Sequence, residues 1–353
     1  MERKIERVLI VRNDRIGDVI LTLPIAQTLR LQYPTIHIAM LVQRYTSEIV
    51  EDSGCVDQII YYDDGAHPVP FFQLIATLRT GRFDVVFHTR PRFRLSLMTF
   101  LARIPLRVGT GYRWYSLLFN RKVYEHRKDA SYHESEYNLH LLGAIGYPVP
   151  RERVYPVLRV RDEHIRTIRH QLDESGFGAD DIPVILHPGS GGSARDWSRE
   201  KFGKLGLRLA DIPHVRILIV GREQERELVS SLCTMIGPRA VPWINRLTLR
   251  EYAALAHEAK LFIANSTGPL HIAAAVGTPV IGLYSQIVAL SAARWGPYTQ
   301  SAIVFSPVGK PADCKICLSR EHTVCECMDS IRVEDVYDAA RRFLSVSSPV
   351  KVS

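Results

Sequence analysis

No segment of the sequence contains the roughly 18 consecutive apolar residues that indicate a membrane-spanning helix. The first four residues lead directly into a strand-like stretch, so the apolar core of a signal peptide is missing. Low-complexity blocks and repeats of solenoid length are missing as well. These absences argue against a membrane-spanning, secreted or repeat protein, and we expect a globular protein of the cytoplasm.

Cysteine is scarce and unevenly distributed. Two of the six cysteines are isolated, and the other four crowd one short stretch, at Cys314, Cys317, Cys325 and Cys327. Disulfides are disfavoured in the cytoplasm, so a structural zinc site is the alternative to reduced thiols. The Cys-x-Cys spacing of the second pair and the short loop between the pairs differ from common zinc ribbons. We therefore predict no metal or other cofactor. The alternative is a zinc site formed by these four cysteines.

Length and charge narrow the class further. At 353 residues the chain exceeds the roughly 250–300 residues at which a single hydrophobic core stops growing, so we expect two domains. The net charge of +8 arises from 45 basic and 37 acidic residues, and it does not distinguish nucleic acid, anionic lipid or a phosphorylated substrate. Basic and aromatic stretches at 90–94 and 112–115 match no nucleic-acid-binding motif, so we predict no nucleic-acid partner.

Strand-like and helix-like segments alternate along the chain. Short β-branched and apolar runs predict strands at 7–12, 36–42, 85–87, 182–187, 215–221, 261–264 and 279–284. Apolar residues at helical spacing predict helices at 134–145 and 331–345, and a charged segment predicts a further helix at 161–174. This alternation favours an α/β protein with parallel sheets, which bind ligands at the carboxyl ends of their strands.

The domain boundaries follow from prolines and charge. Pro148, Pro150 and Pro156 favour a connection around 148–180. We predict one Rossmann-like domain at 1–160, a second at 161–330, and a closing helix with its tail at 331–353.

A first candidate motif, Arg-Asn-Asp-Arg-Ile-Gly-Asp-Val at 12–19, follows the first predicted strand. We expect Gly17 to allow a tight turn and to leave Asp18 at the start of a helix. Aspartate is favoured as a plain helix cap, so the position by itself leaves a structural and a catalytic role open.

A second candidate motif, His-Pro-Gly-Ser-Gly-Gly-Ser-Ala-Arg-Asp-Trp at 187–197, also follows a predicted strand. Its glycines, its hydroxyls and Arg195 suit a cradle for phosphates. The segment is neither a P-loop nor a dinucleotide-binding fingerprint, and a flexible surface loop is the alternative.

A third candidate motif, Ala-Asn-Ser-Thr-Gly-Pro-Leu-His-Ile-Ala-Ala-Ala at 264–275, joins a predicted strand to a helix of small residues. The free amides at that helix start would face an anion. His271, one turn inside, contacts a ligand or is simply buried. In another strand-to-helix turn, at 221–225, a carboxylate would accept hydrogen bonds from ribose hydroxyls, or the acidic residues there only mark a helix start.

Together, the three motifs resemble the heptosyltransferases of glycosyltransferase family 9, and the resemblance extends over nearly the whole chain. It implies a GT-B fold, which is α/β with two Rossmann-like domains facing a central cleft, the acceptor domain first and the donor domain second. It also implies an inverting glycosyltransferase that moves heptose from ADP-heptose to a lipopolysaccharide core or a similar lipid-linked glycan, in contact with the inner face of the cytoplasmic membrane. The alternatives are a non-catalytic sugar-nucleotide-binding protein and a transferase that uses another nucleotide sugar.

The resemblance also implies roles for single residues. Asp18 matches the general base of the family, which favours catalysis over a plain cap, and Arg195, two positions before Trp197, matches a cation that binds the donor phosphates. The other implied donor-binding residues are Ser190, Glu225, Ser266, Thr267, Gly268 and His271. Many family members carry aspartate where this chain has Ser266, which leaves the nucleotide sugar open.

The implied transfer requires no metal ion. No Asp-x-Asp triplet of the kind used by metal-dependent glycosyltransferases occurs in the sequence. The departing diphosphate would instead be stabilised by Arg195, by the loop at 190–193 and by the helix start at Thr267 and Gly268.

Four arginines of the first domain are candidates for binding the acceptor. We expect Arg90, Arg92, Arg94 and Arg113 to contact an anionic, lipid-linked glycan or the membrane surface. The alternative is that these side chains only solvate the surface.

Overall fold

Two parallel β-sheets form the framework of the chain. The computed structural model describes residues 5–192, 194–244, 247–307 and 326–345. The chain divides into two compact units, of which the first comprises Met1–Arg127 and Tyr132–Val157, and the second comprises Lys128–Ser131 and Leu158–Ser353.

The first unit contains a six-stranded sheet in the order β3-β2-β1-β4-β5-β6, and its strand pairs are parallel. The strands are β1 Arg7–Val11, β2 His37–Val42, β3 Gln58–Tyr61, β4 Val85–His88, β5 Leu106–Thr110 and β6 Arg121–Val123. The apolar residues of β1, at the centre, are fully buried. Helices cover both faces of a parallel sheet, so a central strand is a continuous apolar run.

The helices of the first unit connect successive parallel strands, except the last one, which follows β6. They are α1 Ile16–Ile20, α2 Leu23–Gln32, α3 Ser47–Glu51, α4 Phe71–Thr80, α5 Phe93–Leu101 and α6 Glu134–Gly143. Shorter 3-10 helices span Arg44–Thr46, Trp114–Leu118 and Arg127–Asp129. Glu136 accepts a hydrogen bond from the N–H of His133 at 2.9 Å, and this capping box begins α6.

The order of strands in this sheet reverses between β1 and β4. Strands β2 and β3 lie on one side of β1, and β4, β5 and β6 lie on the other. The loops after β1 and β4 therefore leave the sheet on opposite sides, and open α/β sheets bind ligands at this kind of point. Residues 12–15 and 89–92 occupy it.

The second unit repeats this plan with the strand order β12-β11-β10-β7-β8-β9, again with parallel pairs. The strands are β7 Ile182–His187, β8 Val215–Gly221, β9 Ala240–Ile244, β10 Leu261–Asn265, β11 Val280–Leu283 and β12 Ala302–Phe305. The strand order reverses between β7 and β10, so the loops at 188–198 and 266–267 leave the sheet at its reversal point.

Seven helices are described in the second unit. They are α7 Asp162–Glu174, α8 Arg199–Ala210, α9 Arg226–Ile236, α10 Leu249–Glu258, α11 Gly268–Ala275, α12 Ala292–Trp295 and α13 Val333–Ser345. Shorter 3-10 helices span Glu223–Glu225, Val288–Leu290 and Glu326–Ser330. Val336 and Ala340 of α13 are fully buried in the same core as β7 and α8, so the closing helix is part of the second unit.

The structure confirms the α/β class and each predicted strand, and it confirms the helices predicted at 134–145, 161–174 and 331–345. The sequence patterns did not reveal β3, β5, β6, β9 and β12. Within the described part of the chain, no helix combines the length and apolar character needed to cross a membrane.

Candidate functional site

Two aspartates follow the central strand of the first unit. Asp14 lies in the loop after β1, and Asp18 lies in the first turn of α1, where its charge complements the helix dipole. The predicted helix start at Asp18 is therefore confirmed. The tight turn predicted at Gly17 is wrong, because Gly17 is buried inside α1 and is not among the glycines with positive φ.

Arg12, at the end of β1, binds three carboxylates. Its Nε donates a hydrogen bond to Asp14 Oδ1 at 2.7 Å, and its Nη1 donates to Glu134 Oε1 at 3.1 Å. Its Nη2 donates to Asp18 Oδ1. The guanidinium is almost completely buried, and its three carboxylate partners offset the free energy that desolvation of its charge costs. Glu134, from α6, was not predicted as part of the site.

Two further arginines neutralise the remaining charge of this cluster. Arg90 Nη1 pairs with Asp14 Oδ2 at 2.6 Å, and Arg127 Nη1 pairs with Glu134 Oε1 at 2.7 Å. The Asp18 side chain keeps 16% of its surface exposed, against 4% for Asp14 and 2% for Glu134. Asp18 is therefore the carboxylate of this cluster that a ligand can reach.

The surroundings of Asp18 suit a proton acceptor. Burial raises the pKa of Asp18, and Arg12 opposes this rise, while the nearby Asp14 and Glu134 add to it. A carboxylate whose pKa is moved toward neutrality accepts a proton more readily than a fully solvated one. For Arg12, burial disfavours the charge, but Asp18, Asp14 and Glu134 outweigh it and raise the pKa of the guanidinium, so Arg12 stays charged.

The predicted donor-binding residues share one edge of the second sheet. Ser190 and Arg195 follow β7, Glu225 follows β8, and Ser266 follows β10. Strands β10, β7 and β8 are neighbours and parallel, so these loops leave the same edge. The structure therefore brings the candidates to one end of the sheet, and their binding roles remain predictions.

The glycine-rich loop after β7 packs under an ion pair. Glu225 Oε2 accepts a hydrogen bond from the N–H of Arg222 at 2.9 Å, and the two side chains pair at 3.6 Å. The Glu225 side chain lies against Gly189 and that of Arg222 lies against Gly191, where an added Cβ would overlap them. Gly191 and Gly192 have φ of +56° and +78°, the left-handed region that favours glycine. Glu225 therefore has a capping role here, whatever it binds.

Asn265 at the end of β10 anchors both ends of this loop. Its Nδ2 donates to the carbonyl of Pro188 at 2.6 Å, and its Oδ1 accepts from the N–H of Trp197 at 3.0 Å. Asn265 and Trp197 are buried, and the Trp197 indole donates to the carbonyl of Ile331 at 3.1 Å. The two ends of this loop, at Pro188 and Trp197, are thus tied to the core of the second unit.

The start of α11 holds a buried hydroxyl without a partner. Thr267 precedes the first helical residue, Gly268, and its side chain makes no capping hydrogen bond. Thr267 is only 6% exposed, and its Oγ1 has no hydrogen-bond partner among the described residues. Ser266 is held by its N–H, which donates to the carbonyl of Leu283 at 3.1 Å, and His271 is buried one turn inside the helix.

Asp196 is a titratable residue of this loop that the sequence patterns did not single out. Burial raises the pKa of Asp196 to about 6, although hydrogen bonds with Ser190 oppose the rise. Its Oδ1 is buried and has no hydrogen-bond partner in the described part of the chain. Its position beside Arg195 was the only available signal in the sequence.

The four candidate arginines have different surroundings. Arg90 binds Asp14, and Arg94 donates to the Tyr62 hydroxyl at 3.1 Å and to the carbonyl of Val69 at 2.8 Å. Arg92 and Arg113 are exposed, each directly before a helical segment. Arg94 thus has a structural role in holding residue 69, whereas Arg92 and Arg113 are open to a ligand.

The predicted alternative zinc site lies mostly outside the described residues. Cys314, Cys317 and Cys325 belong to 308–325, which the structure does not describe. Cys327 is partly buried against the core of the second unit. Among the described residues, no group of three His, Cys, Asp or Glu side chains is arranged to hold a metal ion.

Residues 71–325 match the family model for glycosyltransferase family 9 (heptosyltransferase). A putative glycosyltransferase of Haemophilus influenzae is 26% identical over 298 residues, which cover 83% of this chain and 86% of the relative. Lipopolysaccharide heptosyltransferase 3 of Escherichia coli K12 is 25% identical over 299 residues, which cover 82% and 84%.

Solved structures of similar fold cover nearly the whole chain. A glycosyltransferase family 9 protein from Veillonella parvula aligns with a TM-score of 0.84 and 21% identity over 98% of both chains. The E. coli ADP-heptose lipopolysaccharide heptosyltransferase II aligns with a TM-score of 0.78 and 18% identity over 96% of this chain and 98% of that one. The predicted GT-B class is thereby confirmed.

Replacing Arg12 with Met should destabilise the first unit by about 3–5 kcal/mol, because three buried carboxylates would lose their shared partner. Arg90→Met removes a half-exposed partner of Asp14 and should cost at most about 1 kcal/mol. Urea unfolding of both variants measures the difference. The deficit of the Arg12 variant should shrink as the pH falls, since protonation removes the orphaned charges, and similar losses in both variants would contradict the analysis.

Asp196→Asn should increase the stability of the second unit over that of the wild type more at pH 8 than at pH 4. The folded-state pKa of Asp196 is raised from 3.8 to about 6, so the wild type is favoured below pH 3.8 and loses this stability as the pH rises through 6. The Asn side chain does not ionise, and the difference between the two proteins should change by about 1–3 kcal/mol across that window. Parallel stability curves for both proteins, measured by urea unfolding from pH 4 to 8, would exclude a buried titrating Asp196.

Proposed function

The chain belongs to glycosyltransferase family 9, the heptosyltransferase family, and from this membership we propose that it transfers heptose from ADP-heptose to a lipopolysaccharide core or a similar lipid-linked glycan. Family membership makes it a glycosyltransferase. The sugar and the acceptor are proposed from the lipopolysaccharide heptosyltransferases among its relatives, and the nucleotide from a structural neighbour named for ADP-heptose.

In this proposal Asp18 is the general base. It accepts the proton of the acceptor hydroxyl while that oxygen attacks the anomeric carbon, and the bond to the diphosphate breaks with its electron pair on the leaving ADP. The configuration at the anomeric carbon inverts. The partial exposure of Asp18 and its raised pKa support this role, because a general base must be reachable and a carboxylate with a raised pKa accepts a proton more readily.

The second unit binds the donor in this proposal. The observation that carries it is the buried hydroxyl of Thr267, which lies at the start of α11 and has no hydrogen-bond partner among the residues that the structure describes. An unsatisfied buried hydroxyl costs about 1–3 kcal/mol, and a phosphate oxygen at the helix start would satisfy it. Arg195, Ser190, Gly268 and the exposed side of Glu225 complete the donor contacts, with Ser266 and His271 beside them.

The leaving diphosphate is stabilised by protein groups alone in this proposal. Arg195 supplies a positive charge, and the start of α11 supplies backbone amides and a favourable dipole. Transfer therefore proceeds without a divalent metal, and the reaction takes place in the cytoplasm at the inner face of the membrane, where a lipid-linked acceptor is available.

A transferase with another nucleotide sugar is the second candidate. It is favoured by Ser266, which stands where the resemblance implies an aspartate and whose N–H is held by the carbonyl of Leu283. Measuring donor hydrolysis with a panel of nucleotide sugars separates the two, and a preference for ADP-heptose by about ten-fold or more would select the first.

Asp18→Asn should lower transfer by about 10²–10⁴-fold, the usual loss when a general base is removed. Binding of ADP should hardly change, because the proposed donor contacts belong to the second unit. In the wild type, kcat/KM should fall as the pH drops below the raised pKa of Asp18, and this acid limb should be absent in the variant. Asp14→Asn is the matched control, since Asp14 shares the same guanidinium but is enclosed, and its loss should be smaller. Near-normal transfer by Asp18→Asn would remove this residue from the mechanism.

Thr267→Val should weaken ADP binding by about ten-fold or more without destabilising the protein, because it removes a hydroxyl that is unsatisfied until a phosphate binds. The matched control is Thr278→Val. Thr278 is equally buried, but its hydroxyl donates to the carbonyl of Ala256 at 2.6 Å, so its replacement should lower stability and leave ADP affinity unchanged. Calorimetry with ADP and thermal unfolding test both variants, and unchanged ADP affinity in Thr267→Val would count against this donor site.

A further inference from the structure

Five exposed apolar side chains of the first unit lie on α5 and on the 3-10 helix that contacts it. Trp114 and Leu117, both in the 3-10 helix Trp114–Leu118, are each 73% exposed. Phe93, Phe100 and Leu101 of α5 are also exposed. We call these five residues the apolar platform. Soluble monomers rarely expose contiguous apolar patches of this kind unless the patch binds something.

The platform is built into the fold. The rings of Phe93 and Trp114 lie 4.8 Å apart, and the Tyr115 hydroxyl donates to the carbonyl of Pro91 at 2.8 Å. Leu97 of α5 packs on the core formed by Tyr115 with Leu118 and Phe119. The exposed side chains therefore project from anchored backbone, so their exposure is a property of the folded unit.

The chain around the platform is basic throughout. Residues 85–124 contain eight Lys and Arg and no Asp or Glu. Of these cations, Arg92 and Arg113 are exposed beside the platform. Burial raises the pKa of Tyr115, and Arg113 and Arg92 oppose this rise, so both guanidinium groups lie close to that ring. A partner that covers the platform must therefore tolerate or prefer an anionic surface.

From these observations we infer that the apolar platform docks on an anionic lipid bilayer. Trp and Leu side chains insert at the boundary of headgroups and acyl chains, and neighbouring arginines bind the anionic headgroups. Strands β4 and β5, which lead into the platform, leave the same sheet edge as β1 and its Asp18 loop. This inference rests on the proposed function in one respect, since a lipid-linked acceptor would be presented at that edge.

A glycan or a second copy of the chain fits the platform less well. Glycan recognition needs hydrogen-bonding side chains, whereas Leu117 and Leu101 present only apolar atoms. A second copy would bring one basic surface against another, and repulsion between like charges opposes such a contact.

Tryptophan fluorescence tests the inference directly. Of the four tryptophans, Trp197 and Trp243 are buried and Trp295 is partly buried, so Trp114 is the one that a bilayer can reach first. Vesicles of phosphatidylglycerol and phosphatidylethanolamine with brominated acyl chains should quench the fluorescence of the wild type. Trp114→Phe should still float with vesicles but should lose this quenching. Vesicles of phosphatidylcholine alone should bind more weakly, and added salt should weaken binding to the anionic vesicles.

Flotation of variants measures the contribution of each part. The double variant Trp114→Ser with Leu117→Ser should bind vesicles at least about ten-fold more weakly, since it removes two large apolar side chains from the membrane interface. The double variant Arg92→Ser with Arg113→Ser should bind vesicles about 25-fold more weakly, because each cation contributes roughly five-fold. Leu31→Ser with Phe72→Ser is the matched control, because these residues are at least as exposed but lie on α2 and α4, and its binding should be unchanged.

Three outcomes would overturn the inference. Equal vesicle binding by the platform variant and the wild type would exclude the platform as the docking surface. Concentration-dependent dimers that disappear in the platform variant, without vesicle binding by the wild type, would assign the surface to a second copy. Unchanged thermal unfolding of the first unit shows that a variant is folded. Transfer to a detergent-solubilised acceptor needs no bilayer, so it separates this inference from the proposed function. If the wild type transfers the sugar but does not bind vesicles, this inference alone is refuted. If it binds vesicles but does not transfer the sugar, the proposed function alone is refuted.

Discussion

The buried guanidinium of Arg12 is the constraint on which the first unit depends. An isolated charge at that depth would cost several kcal/mol, so the fold must deliver carboxylates to it. One comes from the loop after β1, one from α1, and one from α6, 122 positions along the chain from Arg12. Helix α6 is fixed there by further bonds, as Ser135 and Asn138 both donate to the carbonyl of Leu21. The same constraint orients Asp18 and keeps its carboxylate in a low-dielectric setting, where small changes in neighbouring charge strongly affect its proton affinity.

At the strand reversal of the second sheet, the buried polar residue that fixes the neighbouring loop is neutral. Asn265 is as deeply buried as Arg12, but its neutral amide has both a donor nitrogen and an acceptor oxygen, and the loop after β7 bonds to each of them. A neutral clamp suits a loop proposed to bind a diphosphate, because it adds neither repulsion nor a competing carboxylate. Within the described part of the chain, Thr267 Oγ1 and Asp196 Oδ1 are buried at this edge without a hydrogen-bond partner, and a ligand that bonds to either would change the energetics there.

The sequence predicted the buried strands of the two sheets better than the partly exposed ones. Central strands such as β1, β7 and β10 are apolar on both faces, so their sequences predicted them without any structural information. Strands β3, β6, β9 and β12 lie at or near the edges of their sheets and are partly exposed, and β9 even contains Pro242. Nothing local in such segments favours a strand over a loop, and only pairing with a neighbour decides their conformation.

Some features of the candidate site could likewise be predicted from the sequence, and others depended on the tertiary structure. The sequence by itself determined which motifs end at the carboxyl edges of the sheets and that Asp18 starts a helix, because strand ends and helix caps depend on residues close in the chain. Only the tertiary structure decided that Glu134 completes the Arg12 cluster, that Glu225 packs on Gly189, and that Arg94 is used internally while Arg92 is exposed. These outcomes are contacts between segments far apart in sequence. Charged and polar side chains carry no local signal of the partner they will meet, since that partner is chosen by the packing of helices on the sheet.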